Sequence, residues 1–399
     1  MAIHGGIKIL RVVIAGAGPA GSSLAIRLAR RGHEVTLVER ERFPRHKLCG
    51  EFISPECLSQ FAELGVLDEM LSAGGERIYE TRFFEKNGRS FSVPSRLLDD
   101  RGFALSLSRS KMDDILFRAA RAAGTNVIDN AKITDANVDN ERVEAVTVNA
   151  GGEISILSAD LFIDATGRSM AFSRLIERKL DRAEPAHSSS SLAVGFKAHL
   201  SNADIPPGVC EIYFFPGGYG GLTSIEDGLT NLCFLAAPKA AKKLGGDADE
   251  MLRNLVSVNR RAAETLQPAT RVRDWLAVSV NSFGKRGTIR AENLLAIGDS
   301  AAFIDPFTGS GMLMAFESAS MLAEVINGPA PLPEIAGRYS SAYAHAFDRR
   351  LRVCASLRWA AFRPILPTLA ITFLNLSRVS RTYLAGSTRP AGPSDAKSA

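Results

Sequence analysis

Hydrophobic and polar residues recur along this chain with two periods, which predict strands and helices in a definite order. An apolar run at residues 12–14 leads into a glycine-rich turn, and a helical pattern follows over residues 22–31. A second apolar strand then ends at Glu39. Strand, helix and strand in this order predict a βαβ unit, the building block of a parallel sheet.

The rest of the pattern predicts further strands and helices. Asn87-Gly88 lies between two alternating segments and predicts a β-hairpin, and a helix follows at residues 110–123. Short strands are predicted at 126–128, 132–138, 142–149, 154–157 and 161–164, and an antiparallel group at 193–199, 211–215, 222–225 and 231–235. A helix at 248–265 and strands at 276–280 and 293–297 precede helices at 312–326 and from 334 to about 384.

The glycines of the first turn have the spacing of a dinucleotide-binding fingerprint. Gly16 permits the tight turn, Gly18 lets a pyrophosphate approach the backbone, and Gly21 lets helix and strand pack closely. The pyrophosphate is then expected at the free N–H groups and positive end of the helix. Glu39, at the end of the second strand, is placed to accept hydrogen bonds from a ribose.

A second glycine-rich turn lies far along the chain, within residues 294–319. A predicted strand delivers Asp299 to its C-terminal end, where a carboxylate can bind the hydroxyls of a cofactor chain. Pro306 and the run Gly309-Ser310-Gly311 bring bare backbone N–H groups above that strand, where a helix begins. The positive end of this helix can stabilise negative charge. By itself, the segment also fits an ordinary capped strand, loop and helix.

Composition narrows the class of protein. The chain has 399 residues, of which 46% are hydrophobic and 23% charged, as expected for a globular protein of two or three domains. The net charge is +5 and no lysine-rich run with interleaved aromatics occurs, so nucleic-acid binding is not expected. Five cysteines without C-x-x-C or zinc-type spacing predict reduced thiols, a cytoplasmic location and no metal site.

The two ends of the chain bear on localisation. The N-terminus leads directly into the first strand and is not expected to act as a signal peptide. Residues 359–376 are the most apolar stretch, but Arg363, Pro364 and Pro367 interrupt it, which favours a packed terminal helix over a membrane span. Arginines around this stretch leave peripheral contact with a membrane surface as the alternative. Residues 386–399, rich in Ser, Pro and Gly, are predicted to be disordered.

The motifs, taken in order, resemble those of one family. GAGPAG with Glu39, Arg109 with Asp113 at a helix start, Ala165-Thr166-Gly167 after a strand, and GDSAAFIDPFTGSG are similar to the FAD-dependent p-hydroxybenzoate hydroxylase superfamily. The resemblance spans roughly residues 8–326. That superfamily includes aromatic monooxygenases, flavin-dependent halogenases and geranylgeranyl reductases.

The resemblance implies an α/β fold with a Rossmann-type FAD-binding domain, an inserted antiparallel-sheet substrate domain and a helical C-terminus. We expect the FAD-binding domain to be discontinuous, made of residues 8–76, 100–184 and 281–330. Residues 77–99 and 185–280 would form the substrate domain, and residues 331–385 the C-terminal helices.

The resemblance also implies which residues hold FAD. The fingerprint glycines would cradle the pyrophosphate, Glu39 would hold the adenosine ribose, and Asp299 would bind the ribityl or phosphate region. Gly311 and Met312, at a helix start, would meet the pyrimidine edge of the flavin and stabilise its anionic reduced form. The expected set is Gly16, Gly18, Pro19, Ala20, Gly21, Glu39, Arg40, Arg109, Gly298, Asp299, Pro306, Gly309, Gly311 and Met312.

Two stretches resemble the geranylgeranyl reductase branch in particular. In PRHKLCGEFISP, Cys49 is similar to a cysteine that faces the flavin, so it is either an active-site residue or a small residue packed under the cofactor loop. A redox dithiol of Cys49 with Cys57 is a weaker alternative. In PGGYGGLTSIEDGLTNLCFL, Tyr219 and Gly220 are candidates for the substrate pocket, although Tyr219 also fits a sheet-edge aromatic. The aromatic-x-Phe-Pro run of that branch is absent here.

Two departures limit the carry-over. Thr166-Gly167 stands where many monooxygenases of the superfamily carry an Asp-Gly pair associated with FAD and NAD(P)H, so the sequence points to no nicotinamide site. Only Trp275 and Trp359 are present, and the tryptophan-rich motif of the halogenases is missing, so halogenation is not expected.

The expected function is that of an FAD-dependent oxidoreductase acting on a hydrophobic small molecule or lipid, with NAD(P)H as the electron donor. Reduction of a carbon–carbon double bond, as in geranylgeranyl reductases, is slightly preferred. Monooxygenation of an aromatic or secondary-metabolite substrate is the main alternative. A non-enzymatic lipid carrier on this scaffold and a dehydrogenase that uses the fingerprint for NAD alone are further alternatives. The sequence leaves the oligomeric state open.

Overall fold

The computed structural model describes residues 3–4, 7–182, 192–363 and 366. Its strands are β1 (Ile3–His4), β2 (Ile7–Lys8), β3 (Arg11–Ala15), β4 (Glu34–Val38), β5 (Phe52–Ile53), β6 (Glu76–Ile78), β7 (Glu80–Phe84), β8 (Ser90–Pro94), β9 (Ala104–Ser106), β10 (Asn126–Ile128), β11 (Ala131–Asp139), β12 (Arg142–Ala150), β13 (Glu153–Leu157), β14 (Leu161–Asp164), β15 (Ala193–Ser201), β16 (Val209–Phe215), β17 (Gly218–Ser224), β18 (Thr230–Ala236), β19 (Thr270–Arg271), β20 (Leu276–Val280), β21 (Gly284–Lys285), β22 (Ile289–Ala291), β23 (Leu294–Ala296) and β24 (Ala302–Phe303).

The α-helices are α1 (Pro19–Ala29), α2 (Cys57–Glu63), α3 (Leu67–Ser72), α4 (Arg109–Ala122), α5 (Ala171–Lys179), α6 (Pro238–Lys243), α7 (Ala248–Asn254), α8 (Arg260–Leu266), α9 (Gly311–Asn327) and α10 (Leu332–Ala361). The predicted α/β class, with a helical segment after the last strand, is confirmed.

One six-stranded sheet brings the two glycine-rich motifs together. Its strand order is β10-β4-β3-β14-β23-β22, and the first five strands are parallel. Both β3, which leads to the fingerprint, and β23, which leads to Asp299, are neighbours of β14. Because parallel strands end at the same edge of a sheet, the two turns lie side by side there.

The core of this layer explains why the sequence folds this way. The parallel strands are apolar on both faces, as the run Val12, Val13 and Ile14 shows, since helices cover them. Helices α1 and α9 pack on one face, and Leu24, Leu28 and Phe316 are fully buried there. The other face packs against the hairpin β11–β12 and α5.

A large sheet covers the C-terminal edge of the parallel sheet. Its order is β19-β15-β18-β17-β16-β7-β8, and β20 also pairs with β15, along residues 193–197, whereas β19 pairs at residues 200–201. The pairings are antiparallel except that of β16 with β7. Asn87-Gly88 forms the predicted β7–β8 hairpin. These strands come from two separate stretches of the chain, although the exact domain boundaries given above remain a prediction.

Alternate residues of each large-sheet strand face opposite sides, because side chains in a strand point up and down in turn. Phe196, Leu200 and Phe234 pack on one side against α7 and α8. The other side carries Lys197 and His199 and faces the loop of residues 44–51, since Leu48 lies beside Gly195. This loop therefore lies between the large sheet and the fingerprint.

Two predictions about helices need correction. The helix predicted over residues 248–265 is broken into α7 and α8, because the side chain of Asn259 caps α8 and also donates to backbone oxygens of Phe84 and Phe214. The C-terminal helix α10 ends at Ala361 within the described residues. The predicted helix beyond residue 366 and the predicted disordered tail lie outside them. In the described part of the chain, no helix is long and apolar enough to cross a membrane.

Candidate functional site

The fingerprint turn connects β3 to α1 and leaves an open space above the first turn of the helix. Gly16 has φ +100°, and a Cβ on it would lie 2.4 Å from the carbonyl oxygen of Ala165. A Cβ on Gly21 would lie 1.9 Å from the carbonyl oxygen of Gly16. At Gly18, by contrast, a Cβ would meet nothing closer than a guanidinium nitrogen of Arg45, at 3.9 Å. The turn can therefore approach a ligand closely only at Gly18.

Glu39 lies at the end of β4, buried beside this turn. Its Oε2 accepts a hydrogen bond from the backbone N–H of Ala17 at 2.7 Å, and its Oε1 accepts one from Glu41 at 2.9 Å. The carboxylate is thus fixed at the position where a ribose is expected. Arg40, the next residue, is exposed and pairs with Glu41 at 3.1 Å, so it lies at the rim of the site.

Arg45 is a buried cation in the site that the sequence analysis missed. Its Nη2 lies 3.3 Å from Asp113 Oδ2 and 3.8 Å from Glu39 Oε2. Its Nε and Nη1 are buried without a hydrogen-bond partner among the described residues. Burial lowers the pKa of Arg45, and Asp113 and Glu39 only partly offset that effect. Unpartnered guanidinium nitrogens are costly, so a guanidinium that carries two of them and has its Nη2 beside Gly18 indicates a place for an anionic ligand.

Arg109 reaches the same space from the start of α4. Ser108 caps this helix by accepting a hydrogen bond from Lys111 N–H. The guanidinium of Arg109 forms a bidentate pair with Asp113, with distances of 2.7 and 2.8 Å. Burial alone would lower the pKa of Arg109, but the Asp113 carboxylate and the Cys49 sulfur raise it. Arg109 is therefore a fixed positive charge at this position.

The second motif packs directly against the first. The turn Gly298–Ser300 follows β23, and a Cβ on Gly298 would lie 3.0 Å from the side chain of Ala20. Burial raises the pKa of Asp299, and Arg109, Arg168, Arg286 and Lys47 act in the opposite direction. Asp299 is thus within electrostatic reach of Arg109 across the site.

The helix α9 begins directly after the second glycine-rich turn, as the second motif predicts. Asp305 caps the turn Pro306–Thr308 by accepting from Phe307 N–H at 2.9 Å. Gly309 has φ +60° and lies against Phe52. Helix α9 then starts at Gly311, and Met312 is partly buried at its first turn. The free N–H groups of this helix start are available to a group that carries negative charge.

The charges of this groove do not cancel. The cations are Arg40, Arg45, Lys47, Arg109, Arg168 and Arg286, and the acids that act on them are Glu39, Glu41, Asp113 and Asp299. Arg40 and Glu41 pair with each other at the rim, and the remaining cations outnumber the acids, so the groove is positively charged at neutral pH. Burial, together with Arg45, Arg109 and Arg40, lowers the pKa of Lys47 to about 8. The residues present therefore fit a dinucleotide diphosphate.

Cys49 lies in the loop between the groove and the large sheet. Its sulfur accepts a hydrogen bond from Glu51 N–H at 3.4 Å, and its carbonyl accepts one from Asn231 at 3.1 Å. Cys57 is fully buried on α2, and both cysteines are free thiols. The structure thus places Cys49 in the loop that separates the groove from the large sheet, and Cys57 in the core beneath it.

Tyr219 is a buried residue of an interior strand, because β17 lies between β16 and β18. Its hydroxyl donates to Asp305 Oδ1 at 2.5 Å, which joins the large sheet to the turn before α9. Burial, and the neighbouring Asp305, raise the pKa of Tyr219 well above its usual value. The sheet-edge interpretation of Tyr219 is therefore wrong. Gly220 faces the opposite side of the sheet, where a Cβ would lie 2.8 Å from the side chain of Phe234.

Aromatic side chains surround Tyr219. Phe307, of the turn before α9, has its ring centroid 5.4 Å from that of Tyr219, 5.5 Å from Phe214 and 5.8 Å from Phe83. Phe83 stacks on Phe91 at 4.7 Å. This aromatic wall adjoins the start of α9, on the side of the groove nearest the large sheet.

Thr166-Gly167 has a structural function within the described residues. The Thr166 hydroxyl donates to Asp164 at 2.6 Å and accepts from Ala171 N–H at 2.8 Å. Asp164 also accepts from Ser173 N–H at 2.9 Å and from Ser300 at 3.1 Å. These bonds hold the ends of β14 and β23 together.

Comparison with known proteins shows that the chain matches one protein family. The model of the FAD binding domain family matches residues 10–346. The chain is 25% identical to a menaquinone reductase of Mycolicibacterium smegmatis, over 79% of this chain and 76% of that protein. It is 26% identical to a tryptophan 2-halogenase of Chondromyces crocatus, over 88% of this chain and 66% of that protein. The chain thus spans two thirds to three quarters of these relatives.

A solved structure shows the same fold. The crystal structure of a probable FAD-dependent monooxygenase from Pseudomonas aeruginosa superposes with a TM-score of 0.72 at 18% identity. The match covers 92% of this chain and all of that protein's chain. At this identity the likeness concerns the fold.

Proposed function

The chain belongs to the FAD binding domain family, and from this premise we propose that it is a flavin-dependent monooxygenase acting on a hydrophobic aromatic small molecule. Membership of the family makes it an FAD-dependent oxidoreductase. Both the monooxygenase reaction and the aromatic substrate are inferences from the site.

We assign the FAD diphosphate to Gly18, the N–H groups at the start of α1, and Arg45. Glu39 would accept hydrogen bonds from the adenosine ribose, and Asp299 from the hydroxyls of the ribityl chain. The start of α9 would stabilise negative charge on the ring system. When bound and reduced, FAD supplies electrons and activates molecular oxygen. The chain's own contribution is to hold this group, to exclude water and to place the substrate.

The aromatic wall is the observation that carries the proposal. Phe307 belongs to the turn before α9, so the residue that contacts Tyr219 is also next to the proposed ring-binding site. Phe83 and Phe307 are only partly buried, and their rings favour a flat apolar substrate, since aromatic rings pair edge to face and by offset stacking. The hydrogen bond from the Tyr219 hydroxyl to Asp305 fixes this wall to the turn before α9.

Reduction of a carbon–carbon double bond remains the second candidate. A menaquinone reductase is among the relatives, and Cys49 lies in the loop between the groove and the large sheet, where the geranylgeranyl reductase resemblance would have it face the flavin. The β17 segment argues against that branch, because Gly218 and Gly220 lie so close to Phe215 and Phe234 that a larger side chain would clash. The slight preference for that reaction is therefore withdrawn in favour of the monooxygenase.

NAD(P)H is the proposed electron donor. Thr166 is engaged in holding the parallel sheet, so no residue of the chain is assigned to the nicotinamide. Anaerobic mixing of the FAD-loaded protein with NADH or NADPH should bleach the flavin absorbance. A flavin that stays oxidised with both would contradict this donor and point to delivery of reduced flavin by another protein.

The remaining expectations from the sequence concern the alternative functions and the location of the protein. The family membership replaces the lipid-carrier and NAD-only alternatives with an FAD enzyme. Contact with a membrane stays a prediction: Trp359, near the end of α10, is 59% exposed with Arg363 over its ring, but most of residues 359–376 lie outside the described part. A cytoplasmic location also stays a prediction.

The test of the proposed function is the oxygen requirement of turnover. The purified protein, loaded with FAD and supplied with a reductant, is incubated with a panel of aromatic and prenylated compounds, with and without oxygen. The monooxygenase predicts product from an aromatic compound in air only. Product from a prenylated compound in the absence of oxygen would establish the reductase instead.

A further inference from the structure

Glu51 is a fully buried carboxylate, and the proposed function assigns it no role. It lies at the end of the 44–51 loop, between Cys49 and β5, and it has no exposed surface. Its backbone has φ +54°, a conformation that disfavours residues with a side chain. Such a conformation persists only where the surroundings impose it, and often at functional sites.

The carboxylate of Glu51 joins three elements. Its Oε1 accepts hydrogen bonds from Arg109 N–H, at 2.8 Å, and from the ammonium of Lys197. Its Oε2 is hydrogen-bonded to Nε2 of His199 at 2.8 Å. Lys197 and His199 both lie on β15, and each is at most 4% exposed. One side chain therefore connects the helix of Arg109 to the large sheet.

The backbone of the loop is held at further points. Lys197 also donates to the carbonyl of Lys47 at 3.0 Å, and Asn231 donates to the carbonyl of Cys49. The carbonyl of Glu51 accepts from Leu107 N–H at 3.2 Å. The loop is thus bound to β15 and β18 on one side and to the segment before α4 on the other.

Stability alone does not account for this cluster. A buried carboxylate by itself would have a raised pKa, but the hydrogen bond from His199 and the charge of Lys197 lower the pKa of Glu51. Buried ion clusters of this kind are often no more stabilising than apolar residues of the same size. They do, however, fix a geometry, because removal of one charge leaves the others unpaired.

We propose that Glu51 is a positioning residue, which, through Lys197, His199 and Arg109, holds the 44–51 loop in the one arrangement that places Arg45, Lys47 and Cys49 along the FAD groove. The proposal rests on the proposed FAD site. It assigns to Lys197 and His199, residues of the substrate-side sheet, an effect on the binding of the cofactor.

The large sheet offers a matched control on its opposite face. Glu211 also has no exposed surface, and its carboxylate accepts from Tyr213, from Arg261 at 3.0 Å and from Thr265 at 3.1 Å. None of these partners contacts the 44–51 loop. Glu211→Gln therefore removes a buried charge from the same sheet without touching the proposed site.

The experiment compares Glu51→Gln, Lys197→Met, the double variant and Glu211→Gln by limited trypsin digestion of the FAD-free chain. Cleavage after Arg45 and Lys47 reports release of the loop, and cleavage after the exposed Arg42 serves as the internal reference. Thermal unfolding and FAD affinity are measured on the same samples. The FAD-free digestion keeps loop release separate from loss of cofactor.

We expect Glu51→Gln and Lys197→Met to be cleaved after Arg45 and Lys47 roughly tenfold faster than wild type, because cleavage follows the population of the open loop. FAD affinity should fall by a similar factor. Glu211→Gln should lower the unfolding temperature, but it should change neither the cleavage after Arg45 and Lys47 nor the affinity for FAD. The double variant should unfold at a higher temperature than Lys197→Met, since it leaves no unpaired carboxylate, yet remain sensitive to trypsin.

Equal cleavage of Glu51→Gln and Glu211→Gln after Arg45 and Lys47 would overturn the proposal. If Glu51→Gln does not fold, the double variant decides, and wild-type resistance to trypsin in that variant would likewise overturn it. A wild-type chain that binds no FAD would refute the proposed function, whereas the digestion of the FAD-free chain would still report on Glu51.

Discussion

At the scale of single residues, the clearest sign of a ligand is Arg45. Its Nε and Nη1 are buried without partners among the described residues, although Asp113 and Glu39 lie near its Nη2. Sequence motifs centred on glycines and acids did not include it. The available signal was a basic residue just after Pro44, in the loop that follows Glu39, but only the fold shows that its guanidinium turns back over Gly18.

Arg45→Met should weaken FAD binding by roughly tenfold to a hundredfold, the loss expected when hydrogen bonds to a charged group are removed. The exposed Arg42, three residues earlier, offers the matched control, and Arg42→Met should bind FAD as wild type does. Titration of the FAD-free protein with FAD, followed by flavin fluorescence, measures the affinity of each variant. Equal affinities of the two variants would remove Arg45 from the site.

Lys47 should make FAD binding depend on pH. Burial and the neighbouring arginines lower its pKa to about 8 in the chain without ligand. A bound diphosphate would return that pKa towards its usual value, so binding would take up a proton above pH 8. FAD affinity should therefore fall as the pH rises, by roughly tenfold between pH 7 and 9.5. Lys47→Met should show a flat profile, and an unchanged slope in that variant would contradict the assignment.

At the scale of elements, the fingerprint depends on contact between β3, β14 and α1. A Cβ on Gly21 would lie 1.9 Å from the carbonyl oxygen of Gly16, a backbone atom that cannot move aside as a flexible side chain can. Gly21→Ala should lower stability by about 1–3 kcal/mol or more, as overpacking does, and should abolish FAD binding. Gly337→Ala on α10, where nothing lies within 4 Å, should keep FAD and leave stability equal or higher. Melting curves with and without FAD test this pair.

Most helices and strands could be predicted from the sequence because they are determined by residues that are neighbours in the chain. The Asn87-Gly88 turn, the Ser108 cap of α4 and the strand before Asp299 each follow from a few adjacent residues. The helix predicted over residues 248–265 failed for a non-local reason. Asn259 satisfies backbone oxygens of β7 and β16, and this tertiary contact outweighs the helical pattern on either side.

At the scale of the whole molecule, the meeting of the two glycine motifs was predictable, and the contacts of the large sheet were not. Both glycine motifs end parallel strands that neighbour β14, so the order of the motifs was enough to bring them together. Lys197 and His199 carry no motif, and their contact with Glu51 joins residues about 150 positions apart. The aromatic wall is likewise assembled from β7, β8, β16, β17 and the turn before α9.

The mass of the product tests the proposed reaction most directly. The FAD-loaded protein is supplied with reductant, an aromatic substrate from the panel and isotopically labelled oxygen gas. The monooxygenase predicts a product heavier than the substrate by one labelled oxygen atom. A product that instead gains two hydrogen atoms, and carries no label, would contradict the account and establish a double-bond reductase.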